Sequence, residues 1–350
     1  MDSFLKSPRS LSFLGPDKFS ELYSVLQSDY ANTEIVPVTS MEQLLLRLGS
    51  GTTVAGRLAI SRPAFQQLCG VIAPGLYNAM NFSYWKSAWL PSEKLGMLGR
   101  AYNNVVKLRF SQLPSLRLLV DRRTNEIVGV MTSSYKIVMN YDLVQNYASA
   151  ISAGKIQFVE GRVEHRELMA TFVRVGCGVS TRAIDWQPGL AIINSESSRV
   201  AIHAPIASFD SLSGSFSLEP PYKHNRLIHR KTKGFMQKLD GIITDSLQSD
   251  TLQKKLQDAG LVRRFWQPCR PASDAAKWSK RFKKRLSAEG VHSKLIDRVL
   301  EYAFGTRQNT TWYQLYSIML SVADESRTAG RPLRFCAYRI LFGVTQKKGK

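Results

Sequence analysis

Between Ser115 and Thr132 two apolar runs, Ser115-Leu-Arg-Leu-Leu-Val-Asp121 and Glu126-Ile-Val-Gly-Val-Met-Thr132, flank the polar turn Arg122-Arg-Thr-Asn125. A period near two sends successive side chains to opposite faces, so each run reads as a half-buried strand. A short turn carrying Asn closes the two into a hairpin. Four more stretches, 155–163, 166–175, 188–194 and 198–205, read as further strands, with a helix laid between from Tyr141 to about Ser152. The period changes after Pro220-Pro221, which no helix passes through. From there apolar spacing near 3.6 predicts helices over 225–248, 251–260, 274–288, 291–303, 311–328 and 332–342.

The first half adds shorter elements. Asp17 opens a helix through Phe19, Leu22, Val25 and Leu26, followed by an extended run, Glu34–Val38. Ser40 opens a helix through Leu48, stopped by Gly49 and Gly51. Thr53–Ile60 alternates as one strand. Ser61-Arg-Pro63 starts a helix burying Phe65, Leu68, Cys69 and Ile72, and Ser92–Val106 is helical. The expected fold is therefore α+β: a central antiparallel-rich β-sheet with packed helices and a basic, helical C-terminal part. Residues 1–16 read as a flexible arm, 17–220 as the α+β core domain and 221–350 as the basic helical region.

Charge is distributed unevenly over that plan. The chain carries 48 Lys+Arg against 27 Asp+Glu, a net +21. Residues 221–350 hold 27 of the cations and 10 of the anions, so most of the excess lies in the last third. Such a segment repels itself, and a polyanion is the usual reason to keep it. Nucleic acid is the first candidate and an anionic membrane the second. No apolar run approaches the roughly 18 residues of a membrane span. The N-terminus lacks the basic-then-apolar order of a signal peptide. Cys69, Cys177, Cys269 and Cys336 are too dispersed for a disulfide framework. The expectation is a soluble, cytoplasmic protein of a bacterial host or virus-infected cell, without a membrane partner.

Catalytic signatures are sparse. No phosphate-binding Gly-x4-Gly-Lys-Ser/Thr loop occurs, and Gly176-Cys-Gly178 lacks the third glycine of a dinucleotide fingerprint. Cysteines and histidines form no zinc spacing. Glu164-His165-Arg-Glu167 reads as a strand edge, because neighbouring strand residues face opposite ways. No catalytic motif is found, and no cofactor or metal is expected; an enzyme acting on nucleic acid through a site assembled from distant residues such as Glu167, Asp185 or His203 is the open alternative.

Three constellations carry binding chemistry. In 274–288, Trp278, Phe282 and Leu286 form a stripe at spacing four, and Lys280, Arg281, Lys284 and Arg285 lie among the cations covering the rest. That face suits phosphates, whose neutralisation gives salt-sensitive affinity. Packing of the stripe on the core, or a membrane-surface helix, are the alternatives. The second constellation is Lys223, Arg226, Arg230, Lys231 and Lys233, at the start of the long helix after Pro220-Pro221, where free N–H groups add to the cations. The third is the hairpin tip with Arg122 and Arg123. Arg263 and Arg264 complete the set, and Tyr135, Trp266 and Trp278 are candidates for base stacking.

Several stretches resemble a phage- and plasmid-borne family known as domain of unknown function 932. Ile60-Ser-Arg-Pro-Ala-Phe-Gln-Gln-Leu-Cys69 is similar to its early helix. Ile127–Lys136 with Met139-Asn-Tyr141 resembles its Gly-Val…Tyr…Asn segment. Gly189-Leu-Ala-Ile-Ile-Asn-Ser195 resembles its Asn-Ser strand. Thr311-Trp-Tyr-Gln-Leu-Tyr316 and Phe335-Cys-Ala-Tyr338 resemble its closing helices. The Cys-Asn-Gly that follows the Asn-Ser strand in the family is absent; Phe209-Asp-Ser-Leu-Ser-Gly214 occupies that region. The resemblance implies a phage or mobile-element gene and carries no catalytic residues across. The element order is also similar to that of phage single-strand annealing proteins of the RecT and Redβ kind, which form rings or filaments on DNA. Together these readings imply sequence-independent binding or annealing of single-stranded DNA by a homo-oligomer. The alternative is a self-assembling structural protein that contacts nucleic acid or an acidic partner.

Overall fold

A computed structural model describes residues 10–48, 53–72, 92–181, 184–197, 200–222, 224–248, 266–269, 275–305 and 310–342. The fold is α+β, but its strands form two sheets rather than one. The smaller sheet contains β2 (Thr33–Pro37), β3 (Leu46–Leu48), β4 (Thr53–Ala55), β5 (Leu58–Ile60), β6 (Leu116–Asp121) and β7 (Glu126–Thr132), in the order β2-β6-β7-β5-β4-β3. The β6–β7 hairpin is where alternation placed it, and Asn125 adopts the positive φ, +50°, that its turn needs. The expected helix from Ser40 is instead a short 3-10 turn, Met41–Leu44, leading into β3. The expected single strand 53–60 is broken into a hairpin by Gly56 at φ +60°.

The small sheet is covered by α2 (Arg62–Ile72) and α3 (Ser92–Arg109). Phe65, Leu68, Cys69 and Ile72, spaced three and four apart, meet Tyr102, Val106, Leu118, Val120 and Ile127 in one core.

The larger sheet contains β1 (Ser10–Leu14), β8 (Ile156–Glu164), β9 (Glu167–Arg174), β10 (Val179–Thr181), β11 (Ile184–Ser195), β12 (Ile202–His203), β13 (Ile206–Asp210), β14 (Ser215–Leu218) and β15 (Arg226–Leu227). Its path runs β1-β8-β9-β11-β12-β15, with β10 and β13 also on β11 and β14 on β13. The second half of the expected arm is thus an edge strand, Ser10–Leu14 pairing with Glu160–Glu164.

Both faces of this sheet are covered, which is why β9 is buried along nearly its whole length. Leu168, Ala170, Phe172, Leu190 and Ile192 point to α1 (Phe19–Ala31), α4 (Asn140–Ser152) and α5 (Phe235–Gln248). Their neighbours Met169, Ala191 and Ile193 point the other way, with Phe216, Leu218 and Phe335. Full burial of each such aliphatic or aromatic side chain contributes about 1.5–3 kcal/mol.

Helices α6 (Ala275–Ala288), α7 (Ser293–Phe304), α8 (Trp312–Glu325) and α9 (Arg331–Phe342) complete the fold. They form their own core around Leu315, Tyr316, Met319, Leu320, Leu333 and Tyr338 and enclose Trp186 of β11. Thr311 and Gln314 make a reciprocal capping box at the start of α8. Arg334 of α9 is fully buried: it donates to the Phe216 carbonyl at 2.9 Å, pairs with Asp324, and lies 3.9 Å over the Phe216 ring. The expected helix 251–260 lies outside the described residues.

The two sheets meet at a buried cluster of charges. The β8–β9 turn holds His165 and Arg166 at φ +50° and +64°, which turns Arg166 inward rather than to the surface. Its guanidinium reaches Asp121 at 2.8 Å, Thr33 at 3.0 Å and Glu196 at 3.5 Å. Its carbonyl accepts from Asn140 Nδ2 and the Glu196 amide, each at 3.1 Å. Close by, Gly129 of β7 passes so near Ser197 that an added Cβ would stand 2.8 Å from the serine Cβ.

Candidate nucleic-acid interface

The structure sorts the basic residues into those with carboxylate partners and those without. At the β6–β7 turn both arginines are engaged. Arg123 donates to Asp121 from Nε at 3.1 Å and from Nη2 at 2.7 Å, and also pairs with Asp29 on α1. Burial raises the Asp121 pKa, but the hydrogen bonds from Arg123 and the charge of Arg166 outweigh it and hold the carboxyl below its ordinary value. Arg122 remains 63% exposed and donates to Glu34 on β2 at 3.1 Å. The expectation of an arginine-tipped hairpin free to enter a groove is therefore corrected. Arg123 fastens the turn to α1, and Arg122 carries its own counter-charge.

Tyr135 is corrected as well. It is buried, its hydroxyl donates to the Ser195 carbonyl at 2.9 Å, and its ring stacks on His229 at 4.7 Å. No face is left for a base.

The segment carrying Arg226, Arg230, Lys231 and Lys233 is not the start of a helix. Arg226 lies in β15, opposite His203, and helix α5 begins only at Phe235, after Gly234 at φ +71°. The intervening loop is laced to the Ser134–Lys136 backbone. Lys231 N–H donates to Ser134 O at 2.9 Å, Lys136 N–H to His229 O at 3.3 Å, and His229 Nδ1 to Lys136 O at 2.9 Å. Burial depresses the His229 pKa, so its ring is neutral near pH 7. All four cations are exposed, and none has an ion pair among the described residues. A fixed backbone thus presents a run of uncompensated charge. Lys223 lies outside the described residues.

Helix α6 divides its surface as the spacing predicts. Phe282 and Leu286 are buried and Trp278 half-buried, with Trp278 stacked on Phe282 at 4.8 Å and edge-on to Phe304 at 5.3 Å. Lys280, Arg281, Lys284 and Arg285 are exposed, again with no ion pair among the described residues; Lys283 pairs with Asp297 at 2.7 Å. At 3.6 residues per turn, Arg281 and Arg285 flank the apolar stripe while Lys280 and Lys284 face away from it. Beside the stripe lies a cavity of about 230 Å³, walled also by Trp312, Cys336, Arg339 and Ile340. Nothing in the sequence marks Trp312 or Arg339 as its neighbours, because α8 and α9 reach it only through the tertiary fold. Trp266 is 45% exposed, 5.4 Å from the Tyr313 ring. Arg263 and Arg264 lie outside the described residues.

Helix α9 links the two basic surfaces. Near its start, Arg331 and Arg226 flank buried His203, whose pKa falls to about 3, first through burial and then through those two charges. Towards its end, Cys336, Arg339 and Ile340 meet the Arg281–Arg285 side of α6. No helix among the described residues is long and apolar enough to cross a membrane, and no His/Cys/Asp/Glu group there could hold a metal.

These features define an α+β protein of two antiparallel-rich sheets, with exposed cations in its C-terminal third that have no ion pair among the described residues. No protein-family model, curated protein or solved structure matches the chain.

Proposed function

We propose that this protein binds nucleic acid through its phosphates, with single-stranded DNA as the preferred form, and that it acts without a cofactor. One observation carries the reading. Eight exposed cations, Arg226, Arg230, Lys231, Lys233, Lys280, Arg281, Lys284 and Arg285, have no ion pair among the described residues, whereas Arg123, Arg166 and Arg334 are each paired with carboxylates. Cations that no described carboxylate neutralises, in a fold that pairs its structural arginines, present a surface for an external anion. Their position on a laced loop and on one helix favours a backbone-tracking contact over sequence readout. The setting in phage-type recombination or replication, and assembly into rings or filaments, rest on the motif resemblance and the element order alone.

Fluorescence anisotropy with single- and double-stranded oligonucleotides across a salt series, beside light scattering for particle mass, tests the proposal. The expected result is tighter binding to the single strand, with log affinity falling linearly in log salt at about 0.7 per contacted phosphate. Equal, weak binding to every polyanion, heparin included, would refute it. A large particle with its cations inaccessible to oligonucleotides would favour the structural, self-assembling alternative.

A further inference from the structure

Among the described residues, the groove beside α6 combines a ligand-sized space with exposed cations on its rim. Its walls are aromatic and aliphatic: Trp278, Phe282, Leu286, Trp312 and Ile340. Arg281 and Arg285, one helical turn apart and without carboxylate partners among the described residues, stand on its rim. Arg339 closes one end, with its charge already met by Glu289. The remaining polar group, the Cys336 thiol, is kept protonated: burial first, and then the Glu289 charge, push its pKa up to about 12.

We infer that this groove is a base-binding subsite: a nucleobase of the bound single strand enters between Trp278 and Trp312, while Arg281 and Arg285 hold the flanking phosphates. The inference rests on the phosphate-binding reading above and adds to it where the strand is gripped. A base is flat, which suits the indoles, and a strand brings a phosphate on each side of it, which suits two exposed arginines one turn apart. A hydrocarbon chain would fill the same volume but bring at most one charge to that rim. Stacking without edge readout also keeps recognition indifferent to sequence, as the rest of the surface requires.

The test compares the full chain's affinity for oligothymidylate of about 20 nucleotides with that for an abasic tetrahydrofuran strand of equal length and charge, over a salt series. The base-bearing strand should bind about 10-fold tighter with the same salt slope, since one stacked base is worth about 1–3 kcal/mol. Trp278→Leu should bring it down to the abasic affinity and leave the slope alone. Should that variant not fold, 2-aminopurine placed in the strand decides with the unaltered protein, its emission being quenched on binding. Equal affinity for both strands, or unquenched 2-aminopurine, would overturn the subsite and leave phosphate binding standing. Failure of either strand to bind at low salt would instead overturn the reading beneath it. Binding of sodium dodecanoate that oligothymidylate does not displace would also overturn the subsite, assigning the groove to an alkyl chain.

Discussion

Two arginines and three carboxylates meet where the sheets join: Arg123 and Arg166 against Asp29, Asp121 and Glu196. With all three acids ionised the cluster carries an excess negative charge in a nearly dry place, and one proton balances it. Glu196 is the natural holder. It is almost wholly buried and stands 3.5 Å from Arg166, whereas Asp121 takes the 2.8 Å bond. Burial, opposed by Arg166 and the Asn140 amide and reinforced by Asp29, raises its pKa from 4.5 to about 7. The folded state thus binds a proton more tightly than the unfolded chain. Its contribution to stability is complete below pH 4.5 and is lost as pH rises through 7. At 1.36 kcal/mol per unit, the fall between pH 5 and pH 8 is about 3 kcal/mol. Glu196→Gln keeps an acceptor for the Asn140 amide and cannot ionise. Urea unfolding of both proteins from pH 5 to pH 8 reads the difference. Relative to the variant, the parent should lose about 3 kcal/mol over that range. The depressed His203 and His229 act oppositely, stabilising above pH 6.5 and less so as pH falls, but they are common to both proteins and cancel. A difference that does not change with pH would refute the account of the joint.

The surface itself yields further expectations. Replacing Lys280, Arg281, Lys284 and Arg285 together by alanine should lower the slope of log affinity against log salt by up to about 3, with little change in the urea midpoint. Arg123→Ala should leave nucleic-acid affinity and salt slope unchanged while costing about 1–2 kcal/mol of stability in urea titrations, because its partners are Asp121 and Asp29. Arg334→Leu removes the buried partner of Asp324 and Glu160, and calorimetry or urea titration should show a loss of about 3–5 kcal/mol.

Local pattern made much of this architecture readable. The β6–β7 hairpin shows itself through two apolar runs around an Asn turn, and α6 to α9 through 3.6-residue spacing closed by caps such as Thr311 with Gln314. What failed was non-local. Ser10–Leu14 becomes a strand only because Glu160–Glu164 offers it an edge, and one sheet is divided into two by pairings far apart in sequence. The helix expected from residue 225 gives way because 226–227 pair with β12 and Gly234 resets the backbone. Arg166 sits in a polar turn that looks like surface, and its left-handed conformation aims it inward.

The same limit governs the binding residues. In sequence, Arg122-Arg123 and Lys280-Arg281 are equivalent pairs of adjacent cations. In the fold, the first pair meets Glu34, Asp121 and Asp29, while the second meets no carboxylate among the described residues. Composition counts both pairs alike, yet among the described residues only the first is neutralised. The arithmetic explains why. With 17 acids for 21 cations, residues 1–220 can compensate nearly every arginine internally, and the structure shows them doing so at the hairpin and at the joint. With 10 acids for 27, residues 221–350 cannot, whatever fold they adopt. Where Arg334, Arg339 and Arg298 have taken their carboxylates, few remain for α6 and the 226–233 loop. The excess of cations over acids therefore falls in this third of the chain, even with Glu160 and Glu167 of the first part pairing with Arg334 and Arg331. Tertiary structure decides which cations compose that excess, and two of them, Arg281 and Arg285, stand beside an aromatic groove.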